Sequence, residues 1–135
     1  MTEAAASPNG SPGTTRVSIA SGPLVGPVLR RVVGMLAARA DLPLDRLDDA
    51  VLIADLIASR APAHMQTASV DVDLDTGDRT LFLRVGPLRP GGGQALIVDA
   101  SVPGVGNVIE QLADDITVTP DGESEYLLVR LAYSS

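Results

Sequence analysis

Apolar positions recur with two different periods along this chain, and the change of period separates its halves. Arg16 to Ser21 (RVSIAS) alternates Val17 and Ile19 with polar neighbours, which predicts a short edge strand. Gly22-Pro23 breaks it. From Leu24 to Ala40 the spacing lengthens to three and four residues. It predicts a helix with Leu24, Val28, Val32, Met35, Leu36 and Ala40 inward. Pro27 falls in the first turn, where its missing N–H costs little. Asp41-Leu42-Pro43 ends this helix, and Leu44 to Ala61 (LDRLDDAVLIADLIASRA) forms the next. Asp45, Asp48 and Asp49 suit its positive N-terminal end, Arg60 suits its C-terminal end, and Pro62 stops it.

Beyond Pro62 the period shortens to two. Ala68 to Leu74 (ASVDVDL) alternates Val70, Val72 and Leu74 with acids, and Thr80 to Val85 (TLFLRV) returns after a turn at Thr76-Gly77-Asp78. Gly86 to Gly93 (GPLRPGGG) reads as a flexible loop, and Gln94 to Ala100 suits a short helix or a short strand equally. Pro103 to Asp115 (PGVGNVIEQLADD) is a glycine loop feeding a helix with Val108, Ile109, Leu112 and Ala113 inward. Ile116 to Thr119, a turn at Pro120-Asp121-Gly122, and Tyr126 to Tyr133 close the chain as a hairpin. The order is β-α-α-β-β-loop-α-β-β. Consecutive hairpins imply an α+β fold, a two-layer α/β sandwich with a mostly antiparallel sheet and the helices on one face.

Composition sharpens this picture. The 135 residues suit one domain, 16–135, behind a tail 1–15 (MTEAAASPNGSPGTT) too small and polar to order itself. With one Phe, two Tyr and no Trp, the core must come from Leu, Val, Ile and Ala. Scarce aromatics and a net charge of −7 argue against nucleic-acid binding. Residues 1–66 hold six acids and six arginines, residues 67–135 eleven acids and four arginines. Basic patches therefore belong to the first half, though an acidic solvated surface accounts for the second.

The chain has no cysteine, so disulfides and thiolate metal sites are excluded. Its one histidine, His64, lies past Pro62 in an expected surface loop and cannot build a multi-histidine metal centre. No apolar run reaches membrane-spanning length and no basic-then-apolar leader opens the chain, so a cytoplasmic protein without membrane contact is expected.

The second helix holds the candidate chemistry. Asp55 and Ser59 lie four residues apart on one face, with Leu56 and Arg60 beside them. Asp55 is either a solvated carboxylate at the edge of the buried face or a site acid. Buried without a partner it would cost several kcal/mol.

RLDDAVLIADLIASRA after Leu42-Pro43, and PGVGNVIEQLADDITV near the end, resemble the small bacterial anti-sigma-factor serine kinases. These share the Bergerat-type (HATPase_c-like) ATPase fold with sensor histidine kinases, gyrase and MutL. The resemblance spans Val17 to Tyr133. It implies an acid on the second helix as general base and, four residues on, an asparagine holding magnesium. An ungapped alignment puts Leu56 and Arg60 at these positions, and neither can serve. A shift of one residue puts Asp55 and Ser59 there, a workable but weaker pair. The family's adenine-reading aspartate has no counterpart in Arg84-Val85-Gly86-Pro87-Leu88, and Asp99 lies too far on.

The family's Gly-x-Gly phosphate loop before a helix is matched by Gly104-Val105-Gly106-Asn107, though two glycines before a helix are also common in plain turns. Gly91-Gly92-Gly93 suits a mobile loop better than an anion cradle. The chain has no lysine, so phosphate contacts fall to Arg60 and Arg89. The resemblance, with chemistry damaged in two of three motifs, leads to a divergent anti-sigma-factor-kinase-like regulator acting by protein contact in partner switching. Its expected partner is a sigma factor or an anti-anti-sigma protein, met through Arg30, Arg31 and Arg39; a homodimer is implied by resemblance alone. An active ATP-dependent serine/threonine kinase using Asp55, Ser59, Gly104 and Gly106, with ATP and magnesium, is the first alternative. A small ligand- or anion-binding module is the second.

Overall fold

The computed structural model describes residues 14–77 and 79–133. In chain order the elements are β1 (Thr14–Ala20), α1 (Val25–Arg39), α2 (Leu44–Arg60), a 3-10 turn (Ala61–His64), β2 (Ser69–Gly77), β3 (Thr80–Leu88) and α3 (Gly92–Asp99). There follow β4 (Ser101–Val102), β5 (Gly106–Asn107), α4 (Val108–Leu112), β6 (Asp115–Asp121) and β7 (Ser124–Ala132). The fold is α+β.

The main sheet runs β1-β2-β3-β7-β6, and every neighbouring pair is antiparallel. Its period-2 strands explain its two faces. Val70, Val72 and Leu74 of β2, Leu81, Leu83 and Val85 of β3, and Leu127, Val129 and Leu131 of β7 are all buried. They join one core with Leu29 and Val33 of α1 and with Ile53 and Ile57 of α2. Their alternating partners, Asp71, Asp73, Asp75, Phe82, Arg84 and Leu128, are partly or fully exposed on the other face. No helix among the described residues is long and apolar enough to cross a membrane.

Several boundaries depart from the sequence pattern. Thr14 and Thr15, expected in a tail, pair with Asp75 and Leu74 in β1, while residues 1–13 lie outside the described residues. Asp78, in the expected turn, also lies outside them; the flanking residues Gly77 and Thr80 pair across it. The expected loop at Gly86–Gly93 is largely structured. The β3 strand continues through a register shift to Leu88, and α3 starts at Gly92. Gln94 to Ala100, readable two ways, is mostly helix.

The face of α1 is also different. Val25, Leu29, Val33, Leu36 and Ala37 are buried, whereas Leu24 and Met35, expected inward, are 65% and 52% exposed. Leu24 and Met35 extend the apolar residues onto the side that bears Arg31 and Arg39, so apolar spacing misplaces the buried arc, which lies opposite the arginines. Pro62 likewise ends α2 without opening a loop, because the chain tightens into the 3-10 turn that carries His64. His64, expected at the surface, keeps only 15% of its side chain exposed, and its Nε2 lies 3.0 Å from Asp99 Oδ2.

Candidate functional site

Helix α2 starts after Pro43, carries Asp45 in its first turn and Arg60 in its last, and turns Ala50, Ile53, Ala54, Ile57 and Ala58 into the core. This inward face has no polar side chain. Among the described residues no polar or charged residue is buried at all. Asp55 lies on the outer edge instead, where its Oδ1 accepts a hydrogen bond from Arg30 Nε at 2.9 Å. Ser59 Oγ donates to the Leu56 carbonyl at 3.1 Å, turning the hydroxyl back onto its own helix.

Asp55, Leu56 and Ser59 line one shallow groove of about 480 Å3, walled by Gly22, Pro23 and Gly26 before and within α1 and by Leu52. Gly26 faces Ala58 across the helix pair, where a β-carbon would stand in ordinary van der Waals contact, 3.8 Å from Ala58 Cβ. Arg30 lines the groove too, so two of the sequence-predicted site residues meet here as an ion pair. Gly104, Gly106 and Asn107 do not line it. Arg60 is set apart as well, with Nε buried and no hydrogen-bond partner among the described residues.

The Gly104–Asn107 stretch is bound to its own surroundings. Both glycines have positive φ, 82° and 97°, which folds the two-residue strands β4 and β5 into a tight ribbon. Asn107 Oδ1 accepts from the Glu110 N–H at 3.1 Å and so caps α4, while its Nδ2 donates to the Ile97 carbonyl at 2.6 Å. Gln111 Nε2 donates to the Val105 carbonyl at 2.7 Å. The helix that follows has five residues, too short to add up a strong dipole.

The glycine run does meet an anion, but one from the same chain. Glu125 on β7 accepts from Gly91 N–H at 2.9 Å and Gly93 N–H at 3.0 Å. These two amides, Gly91 foremost, hold its carboxyl below the usual glutamate value. Gly93 must be glycine for this approach, since a β-carbon would lie 2.6 Å from Val118 Cγ1. Arg89, the other expected phosphate contact, donates to the Ala63 carbonyl at 2.8 Å.

A magnesium nucleotide does not fit this arrangement. The acid is paired, the hydroxyl is turned away, the glycine loop is elsewhere, and Leu56 and Arg60 offer no oxygen to a metal. No group of three or more His, Cys, Asp or Glu among the described residues is placed to hold a metal ion.

The open sheet face carries polar residues that the sequence pattern did not single out. Arg16, Asp73, Arg84 and Leu128 stand in one row across four strands. Asp73 takes Arg16 at 2.6 Å and Arg84 at 3.4 Å, and Arg84 stacks 3.8 Å from the Tyr126 ring centroid. With Phe82 they edge a groove of about 500 Å3. Period-2 alternation marks Phe82 and Arg84 as outward, but only the strand register sets them between the aspartates of β2 and the residues of β7. Neither a scan against protein-family models nor a search of curated proteins finds a match to this chain.

Proposed function

We propose that this chain is a divergent anti-sigma-factor-kinase-like regulator with a Bergerat-type fold, acting by protein contact without nucleotide chemistry. The observation that carries the reading is the state of α2. Its chemical edge consists of Asp55 tied to Arg30 and Ser59 tied to Leu56, and its inward face is entirely apolar. A general base must be free to reach a substrate proton, and a magnesium ligand must present oxygen; neither condition is met. The element order and the antiparallel hairpins support the fold assignment. The partner is a sigma factor or an anti-anti-sigma protein in a cytoplasmic partner-switching circuit.

Thermal melting with millimolar Mg-ATP and Mg-ADP tests this. Nucleotide at about a hundred times its Kd would add about 2.7 kcal/mol and raise the midpoint. The expected result is an unmoved midpoint. A raised one, with phosphorylation of a partner protein abolished by Asp55→Ala, would establish the kinase alternative.

A further inference from the structure

The outward face of α1 does not have the chemistry of an ordinary solvated helix. Its core side is Val25, Leu29, Val33, Leu36 and Ala37, and Arg30 leans sideways to Asp55. Opposite the core, at helical spacing, stand Leu24, Pro27, Arg31, Met35, Ala38 and Arg39, all exposed. Solvated faces normally mix acids, amides and hydroxyls with their cations. Here arginine is the sole polar residue type. Among the described residues neither Arg31 nor Arg39 has a hydrogen-bond or ion-pair partner, in a chain whose net charge is −7. Exposed Leu and Met beside unpaired arginines, with no acid, is the residue mix of an interface core.

We propose that this stripe docks an acidic amphipathic helix of a partner protein. The partner's apolar residues seat on Leu24 and Met35, and its carboxylates pair with Arg31 and Arg39. The inference rests on the protein-contact reading above and supplies the partner's chemistry. Arg31 and Arg39 stand about 12 Å apart along the axis, so acids seven or eight residues apart on the partner reach both.

Two other occupants fit less well. A second copy packed two-fold on the same stripe would set arginine against arginine, since every charge on it is positive. An anionic membrane gains about 1 kcal/mol per arginine, and two arginines fall short of the four to eight cations of surface-binding clusters.

The test uses a fluorescent 18-residue amphipathic peptide with leucines on one face flanked by glutamates seven residues apart, and a counterpart carrying lysines instead. The full chain is expected to bind the glutamate peptide saturably and the lysine peptide at least about tenfold more weakly. Arg31→Glu with Arg39→Glu should reverse that preference, and Leu24→Ser with Met35→Ser should weaken the glutamate peptide about tenfold. All four residues are exposed, and the melting curve of each variant verifies its folding. Equal binding of the two peptides, or binding of neither, overturns the proposal. So does arginine-dependent uptake by phosphatidylglycerol vesicles, or an arginine-dependent dimer in sedimentation, when the glutamate preference is absent. The nucleotide melt reports separately: a midpoint raised by Mg-ATP with peptide preference intact removes the proposed loss of nucleotide chemistry and leaves the docking surface standing.

Discussion

Arg30 and Asp55 tie α1 to α2 through a single hydrogen bond, Nε to Oδ1, on the outer surface of the helix pair. Their side chains are 54% and 41% exposed, so water screens much of the attraction. Asp55→Ala is therefore expected to lower stability by less than about 1 kcal/mol in urea denaturation. A loss of about 3 kcal/mol or more would mean that the pair is desolvated and the groove closed.

Arg46 makes a larger contribution. Its guanidinium donates to the carbonyls of Ala132 and Leu112 and to the carboxylates of Asp49 and Asp114, at 2.6–3.0 Å. One side chain thus joins the start of α2 to the end of α4 and to the last strand. Arg46→Ala should cost about 1.5–3 kcal/mol, the scale of lost hydrogen bonds to a charged group. Arg46→Lys should not restore the loss, because an ammonium has three donors and no planar fork. Equal urea midpoints for Lys and wild type would refute this role.

The Glu125 clamp gives a pH signature. Backbone amides of Gly91 and Gly93 lower the folded carboxyl pKa below its ordinary value. The unfolded chain then binds a proton first as pH falls, so the contribution is complete above the unfolded pKa. It disappears as pH drops through the lower folded value. The melting-midpoint gap between wild type and Glu125→Gln should be constant at pH values above the ordinary glutamate range and shrink as pH falls below it. A gap that widens on acidification would contradict the clamp.

Gly93 tests the same junction sterically. Gly93→Ala pushes a methyl group to 2.6 Å from Val118 Cγ1 and is expected to cost about 1–3 kcal/mol. Val118→Ala in the same chain should recover part of it. No recovery in the double variant would place the strain elsewhere.

The sheet was legible from the sequence because its strands alternate cleanly: Val70, Val72 and Leu74 against three aspartates determine both the strand and its buried face. The spans of α1 and α2 were legible to within one residue at each end. Apolar spacing misplaces the buried side of α1, because Leu24 and Met35 extend the apolar residues onto the arginine side; the arc opposite Arg30, Arg31 and Arg39 is the buried one. The end of β3 and the start of α3 were hidden by Gly86-Pro87 and the three glycines, which locally read as loop. Their structure depends on Glu125, more than 30 residues later. The placing of Asp55 at a solvated edge agrees with its position on the helical wheel. Its Arg30 partner lies 25 residues away and could not be read from spacing.

The proposed loss of nucleotide chemistry is read out residue by residue in a titration of the 15N-labelled chain with Mg-ATP, followed by two-dimensional amide spectra. Amide peaks of Asp55–Arg60 and Gly104–Asn107 are expected to stay in place up to millimolar nucleotide. Saturable shifts shared by those two segments would contradict that loss.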